Sequence, residues 1–176
     1  MQKTETYKMC YARCESCGDP ADLRCEFGIL IDELASTTGL LRACIPEDDL
    51  REELGFICAL FYHISPSLRS GLTATEDDFT RLEQFFRKLE AERRCSAPFV
   101  LPMGVEGAAL SHILRVKCKA VLRLLYKHQG LGNSVEDLLF DFINLLSGCF
   151  FHLAFALNKR ASVEEVPFVS RRVEGN

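Results

Sequence analysis

Apolar residues recur at helical spacing in five successive segments of this sequence, and that pattern limits the folds open to the chain. Prolines and glycines separate the segments, at Pro46, Pro66, Gly71, Gly104 and Gly130. No segment shows a convincing strand alternation. Because each amphipathic helix must bury its apolar stripe against a neighbour, the sequence predicts an all-α fold, namely a five-helix up-and-down bundle.

The predicted bundle spans residues 19–160, between a cysteine-bearing N-terminal arm at 1–18 and a C-terminal tail at 161–176. Arm and tail show no helical period. At 176 residues the chain fits one domain with a substantial core.

Side chains suited to helix caps indicate where three of the helices begin. Asp19-Pro20 provides a cap and a first helical position for the first helix. Thr75, with Asp78 three residues later, has the pattern of a capping box for the third helix. Either Asn133 or Ser134 is suited to cap the fifth helix.

The charge and hydropathy of the chain argue against two classes of partner. A formal net charge of −4 argues against general nucleic-acid binding, which requires a basic surface. No run approaches the apolar length of a membrane span, since even 138–157 contains Asp141, Asn144, Ser147 and His152. No secretory signal is visible. We therefore expect neither a nucleic-acid nor a membrane partner.

Eight of the nine cysteines fall into two groups. Four lie in predicted helices and have the character of small buried residues in a reduced protein, which predicts a cytoplasmic location: Cys44, Cys58, Cys118 and Cys149. The second group is a metal-site candidate, because two of its members have the two-residue gap of a zinc knuckle: Cys10, Cys14, Cys17 and Cys25. No second such pair follows, so free thiols on a loosely ordered arm are the alternative.

The stretch from Pro98 to Tyr126 is the best candidate for a binding site. Two prolines make 98–104 a stiff connector that carries Phe99, and a helix is predicted to start just after it. That helix carries a row of cations at four-residue spacing, which can hold an anion beside a flat apolar ligand: Arg115, Lys119 and Arg123. The alternative is a solvated face with the aromatic side chain in the core.

Two polar residues in otherwise apolar helices are further candidates. Asp32 lies on a stripe of small residues in the first helix, where it needs a cationic partner if buried; otherwise it is an exposed acid. Asn144 interrupts the fifth helix one turn before Ser147. An interhelical hydrogen bond is the default interpretation of Asn144, and a ligand contact is the alternative.

Several common catalytic motifs are absent from the sequence. It contains no phosphate loop, no Gly-x-Gly-x-x-Gly after a strand and no Glu-x-x-His pair of the di-iron type. The four histidines are isolated, and a structural role is predicted for each: His63, His112, His128 and His152.

Three blocks of the sequence resemble the ATP:corrinoid adenosyltransferases, the family of the propanediol- and ethanolamine-utilisation enzymes. Phe-Gly-Ile-Leu-Ile-Asp-Glu-Leu at 27–34 is similar to the family's first helix. Phe-Val-Leu-Pro-Met-Gly at 99–104 is similar to its Phe-x-Leu-Pro-Gly-Gly loop, and 109–115 resembles the start of its arginine-rich helix. Asn-Leu-Leu-Ser at 144–147 resembles the Asn-x-Leu-Ser of its final helix.

The resemblance implies an enzyme that moves the 5′-deoxyadenosyl group of ATP to the cobalt of a reduced corrinoid. The products are adenosylcobalamin and triphosphate. ATP, cobalamin and Mg²⁺ are the implied ligands, and a homotrimer with sites between subunits is the implied assembly. Such an enzyme tunes a cofactor that performs the chemistry, so it requires no acid–base dyad.

The family pattern also implies roles for five residues at the nucleotide. Asp32 pairs with Arg115 and orients that guanidinium. Arg115, Lys119 and Arg123 face the phosphates, and Asn144 lies near the nucleotide.

Three phenylalanines are implied at the corrin. Phe99 presses against the lower face of the corrin and excludes the lower axial ligand, which makes Co(II) easier to reduce to nucleophilic Co(I). Phe150 and Phe151 extend that apolar wall.

Departures from the family pattern leave alternatives. Positions 119–123 read Lys-Ala-Val-Leu-Arg where Arg-Arg-x-Glu-Arg is usual, and Gly148 stands where an aspartate usually follows the serine. The Thr-Gly-Asp-x-Gly-Thr segment of the propanediol type is absent before Asp32, which favours the ethanolamine branch. Ala120, Leu122 and the missing segment favour a second hypothesis, a non-catalytic corrinoid-binding or regulatory bundle that has lost ATP turnover. A structural bundle with coincidental motifs is the third.

Overall fold

The computed structural model describes residues 22–92 and 99–169, and five helices make up most of these ranges. The predicted all-α bundle is therefore confirmed. Within the described ranges the β-pairing is limited to one isolated bridge, between Val100 and Pro167. In chain order the helices are α1 (Leu23–Cys44), α2 (Asp48–Ile64), α3 (Glu76–Glu92), α4 (Glu106–Gly130) and α5 (Asp137–Arg160).

Helices α4 and α5 form the most extensive pair in the bundle. Helix α4 also packs on α1, α1 packs on α2, and α5 packs on α3, with a lighter contact between α2 and α3. Since α3 and α4 both pack on α5, they flank it on two sides. The continuous core contains four fully buried phenylalanines: Phe27, Phe61, Phe142 and Phe150.

The helix starts agree with the predicted caps in one case out of three. Thr75 and Asp78 form the predicted capping box, in which Asp78 N–H donates to Thr75 Oγ1 at 3.2 Å and Thr75 N–H donates to Asp78 Oδ2 at 2.8 Å. The predicted start of α1 at Asp19-Pro20 is wrong. Helix α1 is capped by Asp22, whose carboxylate accepts from the Arg24 N–H.

The predicted cap of α5 is also wrong. Helix α5 begins at Asp137, and its N-cap residue Glu136 makes no side-chain capping bond. Asn133 instead donates from its amide to the His128 carbonyl at 3.2 Å, at the end of α4. A short amide side chain satisfies whichever free helix end is nearest, and here that end belongs to the preceding helix.

Helix α5 contradicts the expectation that no run of this sequence approaches the apolar length of a membrane span. By length and hydropathy this helix of 24 residues is apolar enough to span a membrane. In the bundle, however, 61% of its most apolar window is buried against protein. Packing at the centre of a helical bundle accounts for that composition, because such a helix is apolar on most of its faces.

The cysteines of the first group are free thiols within the helices. Cys118 and Cys149 are buried, and burial raises the pKa of both thiols; Cys44 and Cys58 are half-buried. Of the metal candidates, Cys25 is buried at the start of α1 and is disulfide-bonded, so in this structure it is neither a free thiol nor a metal ligand. Cys10, Cys14 and Cys17 lie outside the described residues. Among the described residues no group of three or more His, Cys, Asp or Glu side chains is placed to hold a metal. The metal site stays a prediction.

An ion cluster joins three helix ends at one end of the bundle. Arg160 donates to Asp49 Oδ1 at 2.9 Å and to Glu92 Oε1 at 3.1 Å, and Lys88 Nζ lies 3.2 Å from Asp49 Oδ2. These bonds link the start of α2 to the ends of α3 and α5. The hydrogen bond from Arg160, followed by that from Lys88, lowers the pKa of Asp49 to about 2.

Replacing Asp49 by asparagine tests this cluster. We expect Asp49→Asn to lower the free energy of unfolding near pH 7 by about 1 kcal/mol or less, because the cluster is partly exposed to solvent. The folded pKa of Asp49 lies below its ordinary value of 3.8, so the stabilisation is present above that value and is lost as the pH falls toward about 2. Urea unfolding at neutral and acidic pH measures the difference.

The matched control is Asp48→Asn, one residue earlier in the same helical turn and with a side chain 97% exposed. It shares the interaction of Asp49 with the helix N-terminus but lacks the Arg160 contact. Equal losses in the two variants would assign the effect to the helix terminus and not to the cluster.

Candidate functional site

The loop before α4 presents Phe99 to solvent. Residues 99–105 are not helical, as the prolines predicted, and Phe99 is 72% exposed. The alternative that places this aromatic side chain in the core is therefore wrong. The loop backbone is held by the C-terminal segment, since Leu101 N–H donates to the Val166 carbonyl at 2.8 Å and Phe168 N–H donates to the Phe99 carbonyl at 3.0 Å.

A groove of about 430 Å³ lies over α5, between α3 and α4. Helix α4 contributes Arg115 and Lys119, and α3 contributes Phe86. We call it the cationic groove, and its lining consists of Phe86, Arg115, Lys119, Asn144, Leu145, Ser147, Gly148 and Phe151. The fold thus brings together four residues predicted for the site from two separate helices, α4 and α5: Arg115, Lys119, Asn144 and Phe151.

Two polar residues of α5 have different roles in this groove. Ser147 is buried, and its hydroxyl donates to the Arg115 carbonyl at 3.3 Å, which joins α5 to α4. Asn144 is exposed, and no described residue hydrogen-bonds its side-chain amide. The interhelical bond considered for Asn144 is made by Ser147, so the Asn144 amide is available to a ligand.

Arg115 is a partly buried cation without a carboxylate partner among the described residues. Its Nε is buried and lacks a hydrogen-bond acceptor, and its Cζ lies 5.8 Å from the centroid of the Phe151 ring. Burying an unpaired charge is costly, and an anion entering the groove relieves that cost. The site therefore favours a negatively charged ligand.

The predicted pair between Asp32 and Arg115 is not formed within the chain. Asp32 is exposed on α1 and has no ion pair with a described residue. Its neighbour Glu33 pairs with Lys117 of α4 instead. Successive helical residues lie about 100° apart around the axis, so only one of two adjacent acids faces α4.

Arg123 lies outside the groove, contrary to the predicted row of three cations. It is exposed and lines neither this groove nor the one described below. Four residues exceed one helical turn by about 40°, so Arg123 has rotated by about 80° relative to Arg115. Two members of the predicted row, Arg115 and Lys119, share the groove, and the third faces solvent.

The predicted apolar wall also needs correction. Phe150 is fully buried in the core and lines neither groove, so it cannot extend a ligand-facing wall in this chain. Phe151 is half-buried and lies in the cationic groove. The two are adjacent on a helix, so when one side chain faces the core the other faces the groove.

A second groove, of about 500 Å³, lies along α4 beside the Phe99 loop. We call it the apolar groove, and its lining consists of Pro102, Ala109, His112, Ile113, Arg115, Val116 and Lys117. Ile113 and Val116 are about half exposed. Arg115 lines both grooves, so one guanidinium stands between an apolar surface and a polar one.

His112 lines the apolar groove and is largely buried. Burial, and then the positive charge of Arg115, lower its pKa below the ordinary value. Both ring nitrogens are buried without a hydrogen-bond partner, and the ring meets Phe155 edge to face at 6.5 Å between centroids. This packing agrees with the structural role predicted for His112.

The sequence did not predict two residues that lie near the site, Phe86 and Asn158. Phe86 has the spacing of a core residue of α3, yet it is half-buried and lies against Gly148, where an added Cβ would be 2.8 Å from its Cε2. The glycine at a position where aspartate is usual was the available signal. Asn158 is buried below the Phe99 loop, and its position near the end of an apolar helix gave no such signal.

Gly148→Ala tests the contact between Phe86 and α5. Alanine normally stabilises a helix relative to glycine by about 0.5–1 kcal/mol. Here the new methyl group displaces the Phe86 ring, so we expect the free energy of unfolding to fall by about 1 kcal/mol. Gly39→Ala on α1 is the control, because nothing lies within 4 Å of a Cβ added there. Urea unfolding measures the change in the free energy of unfolding for both variants. A higher free energy of unfolding for Gly148→Ala would contradict the close contact between Phe86 and Gly148.

Comparison with known proteins identifies the family. A model of the cobalamin adenosyltransferase family matches residues 19–157. A corrinoid adenosyltransferase of Citrobacter freundii is 28% identical over 144 residues, which cover 77% of this chain and 81% of the relative.

Solved structures of a PduO-type ATP:corrinoid adenosyltransferase from Lactobacillus reuteri share the fold. A phenylalanine-to-alanine variant complexed with cobalamin and ATP gives a TM-score of 0.77 at 21% identity, over 85% of this chain and 88% of that one. An arginine-to-lysine variant complexed with ATP gives 0.75 at 23% identity, over 85% and 89%. With the family model covering most of the chain, the protein belongs to the cobalamin adenosyltransferase family.

Proposed function

We propose that this protein transfers the 5′-deoxyadenosyl group of ATP to the cobalt of a reduced corrinoid, releasing triphosphate. The observation that carries the proposal is the position of Arg115, an unpaired cation that lines both grooves. The nucleotide occupies the cationic groove and the corrin lies along the apolar groove, next to Phe99. Family membership supports this reading, as do the fold relatives solved with cobalamin and ATP.

In the proposed complex Arg115 and Lys119 bind the triphosphate. In the reaction a Co–C5′ bond forms, the C5′–O bond breaks, and the triphosphate leaves with the electron pair of that bond. Fixed cations stabilise the charge that develops on this leaving group. Lys119 supplies a point charge without the planar fork of an arginine, so Arg115 is the residue able to make two parallel bonds to phosphate oxygens.

The other groove residues suit the rest of the nucleotide. Asn144 offers an amide without a described hydrogen-bond partner for the ribose or the base. Phe86, Leu145 and Phe151 provide the apolar surfaces against which a purine can pack.

Phe99 acts on the corrin and not on the nucleotide. Its exposed ring presses on the lower face of the corrin and keeps an axial ligand from the cobalt. Loss of that ligand makes reduction of Co(II) to nucleophilic Co(I) easier, which is how the protein tunes the metal of its substrate.

Two of the departures from the family motif, Ala120 and Leu122, lie away from the cationic groove. Ala120 is exposed, and Leu122 packs partly buried against the core. Neither residue lines the cationic groove. Of the positions that line it, Arg115, Lys119 and Asn144 carry polar groups, whereas Gly148 stands where an aspartate is usual. Because the cations and the Asn144 amide are present, we retain the enzyme as the proposal.

A homotrimer with sites between subunits is part of the proposal. Exposed apolar residues on α1 and α4 are available for subunit contacts: Ile29, Leu40, Ile113 and Val116. Because Asp32 is exposed and Arg115 has no acid beside it in the part of the chain that the structure describes, we place the predicted pair between Asp32 of one copy and Arg115 of another. Such a contact orients the guanidinium at a subunit boundary.

Three finer predictions accompany the proposal. Mg²⁺ enters with the nucleotide and is held by phosphate oxygens, because the described lining of the cationic groove contains no carboxylate. The ethanolamine branch rests on the absence of the Thr-Gly-Asp-x-Gly-Thr segment before Asp32 and on the cysteine-bearing arm that stands in its place. The cytoplasmic location rests on the free thiols of the helices.

An adenosylation assay of Arg115→Gln tests the proposed function. With ATP and pre-reduced corrinoid, we expect turnover to fall by about 100-fold or more, because a fixed cation at the leaving group is lost. The change in cobalamin absorbance measures the rate. Lys127→Gln, an exposed cation on the same helix outside both grooves, is the control and keeps its activity. Full activity of Arg115→Gln would remove Arg115 from the site.

Phe99→Ala tests the role of the exposed ring. We expect the rate from Co(II) with a reductant to fall by about tenfold or more, since the lower ligand now stays on the cobalt. The rate from pre-reduced Co(I) changes far less. Tyr62→Ala, on α2 and 63% exposed, controls for loss of a surface aromatic ring. Equal losses from Co(II) and Co(I) would contradict the proposed role.

A further inference from the structure

Asn158 occupies an unusual place near the end of α5. Its side chain is 1% exposed, and its amide makes three hydrogen bonds. Oδ1 accepts from the Val105 N–H at 3.0 Å, and Nδ2 donates to the Met103 carbonyl and to Glu165 Oε1, each at 3.0 Å. One carboxamide therefore joins the loop before α4 to the segment after α5.

The loop backbone is shaped around this amide. Gly104 has φ +128°, which side chains disfavour, and a Cβ added there would lie 1.9 Å from Asn158 Oδ1. Because a side chain at this position cannot coexist with the Asn158 amide, the glycine and the asparagine form one unit. That unit sets the path of the chain between Phe99 and α4.

The segment after α5 continues from Asn158 to Phe99. Val163 N–H donates to the Asn158 carbonyl at 2.8 Å, and Glu165 accepts from the Asn158 amide. Residues 166–168 then pair with 99–101 through two backbone hydrogen bonds. We call residues 163–168 the C-terminal strap. The backbone of Phe99 is thus held from one side by this strap.

Phe99 cannot hold its own position by packing, because its ring is largely exposed. An exposed side chain is placed by its backbone, and this backbone is held by the strap and by Asn158. A displacement of about 1 Å at a reacting centre can cost about 100-fold in rate. Supports behind a functional side chain therefore affect the reaction without touching the substrate.

We propose that Asn158 and Glu165 are positioning residues, which act through the C-terminal strap to hold Phe99 beneath the corrin. This inference rests on the proposed function. Neither residue touches the substrate. Their effect falls on the step that needs Phe99, the reduction of Co(II), and not on the transfer from Co(I), which depends on the cationic groove.

Two strap variants and one control test the proposal. Asn158→Asp keeps the acceptor for Val105 but loses the donors to Met103 and Glu165, and it places two carboxylates together. Glu165→Ala removes one strap contact from a less buried position. If Asn158→Asp does not fold, Glu165→Ala alone tests the proposal. Glu164→Ala is the control, because that exposed carboxylate makes no hydrogen bond with a described residue.

The first measurement is hydrogen exchange of the Leu101 and Phe168 amides in the protein without substrates. In both strap variants we expect these amides to exchange about tenfold faster, since the bonds that protect them open more often. The control matches the unaltered protein. Unchanged exchange in the strap variants would overturn the claim that Asn158 and Glu165 hold this loop.

The second measurement compares adenosylation from Co(II) with that from pre-reduced Co(I). We expect the strap variants to lose about tenfold from Co(II) and less than about twofold from Co(I). With ATP bound, the absorbance spectrum of the Co(II) corrinoid should show less of the form that lacks a lower ligand. Faster exchange without this selective loss would make the strap merely structural and overturn the proposal.

The two measurements separate this inference from the proposed function. If the unaltered protein does not adenosylate reduced corrinoid, the proposed function fails and the corrin role of the strap fails with it. The exchange experiment needs no corrinoid, so it still shows whether Asn158 and Glu165 hold the loop. Normal adenosylation by the unaltered protein with equal losses from Co(II) and Co(I) in the variants overturns the strap proposal alone.

Discussion

The site depends on a partly buried guanidinium, that of Arg115, which has no acidic partner within residues 22–92 and 99–169. Arg115 lies on α4, where its carbonyl accepts from Ser147 of α5 and its side chain approaches the Phe151 ring. Keeping such a charge unpaired lowers the stability of the chain, and a bound anion or a neighbouring copy offsets that cost. The central helix pair of the bundle is therefore also the part that is prepared for a ligand.

Packed helices carry the polar groups of the site, and an exposed loop carries Phe99. Cations and the Asn144 amide project from two packed helices, whose side-chain directions are set by the core. Phe99 projects from a loop and owes its position to backbone bonds with the strap and to the buried amide of Asn158. Charge stabilisation requires fixed donors, whereas the role proposed for Phe99 requires only that an apolar ring be held in the correct position.

Most of the site could be located from the sequence because its residues belong to short motifs of neighbouring residues. The prolines around Phe99, the cations of α4 and the Asn-x-Leu-Ser block each specify a residue type on a known element. The sequence-based predictions were wrong where the direction of a side chain depends on its rotation around the helix axis or on residues distant in the chain. Phe150 faces the core while Phe151 faces the groove, Arg123 has turned away from Arg115, and Asp32 leaves the contact with α4 to Glu33.

The amino-acid sequence by itself determined the five helices, their approximate ends, the non-helical loop before α4 and the family resemblance, since periodicity, prolines and short motifs are properties of neighbouring residues. Only the tertiary structure decided which members of each stripe share a groove, that Phe86 lies against Gly148, and that Asn158 holds the loop to the segment after α5. These are contacts between residues far apart in the chain, and their geometry depends on how the helices pack.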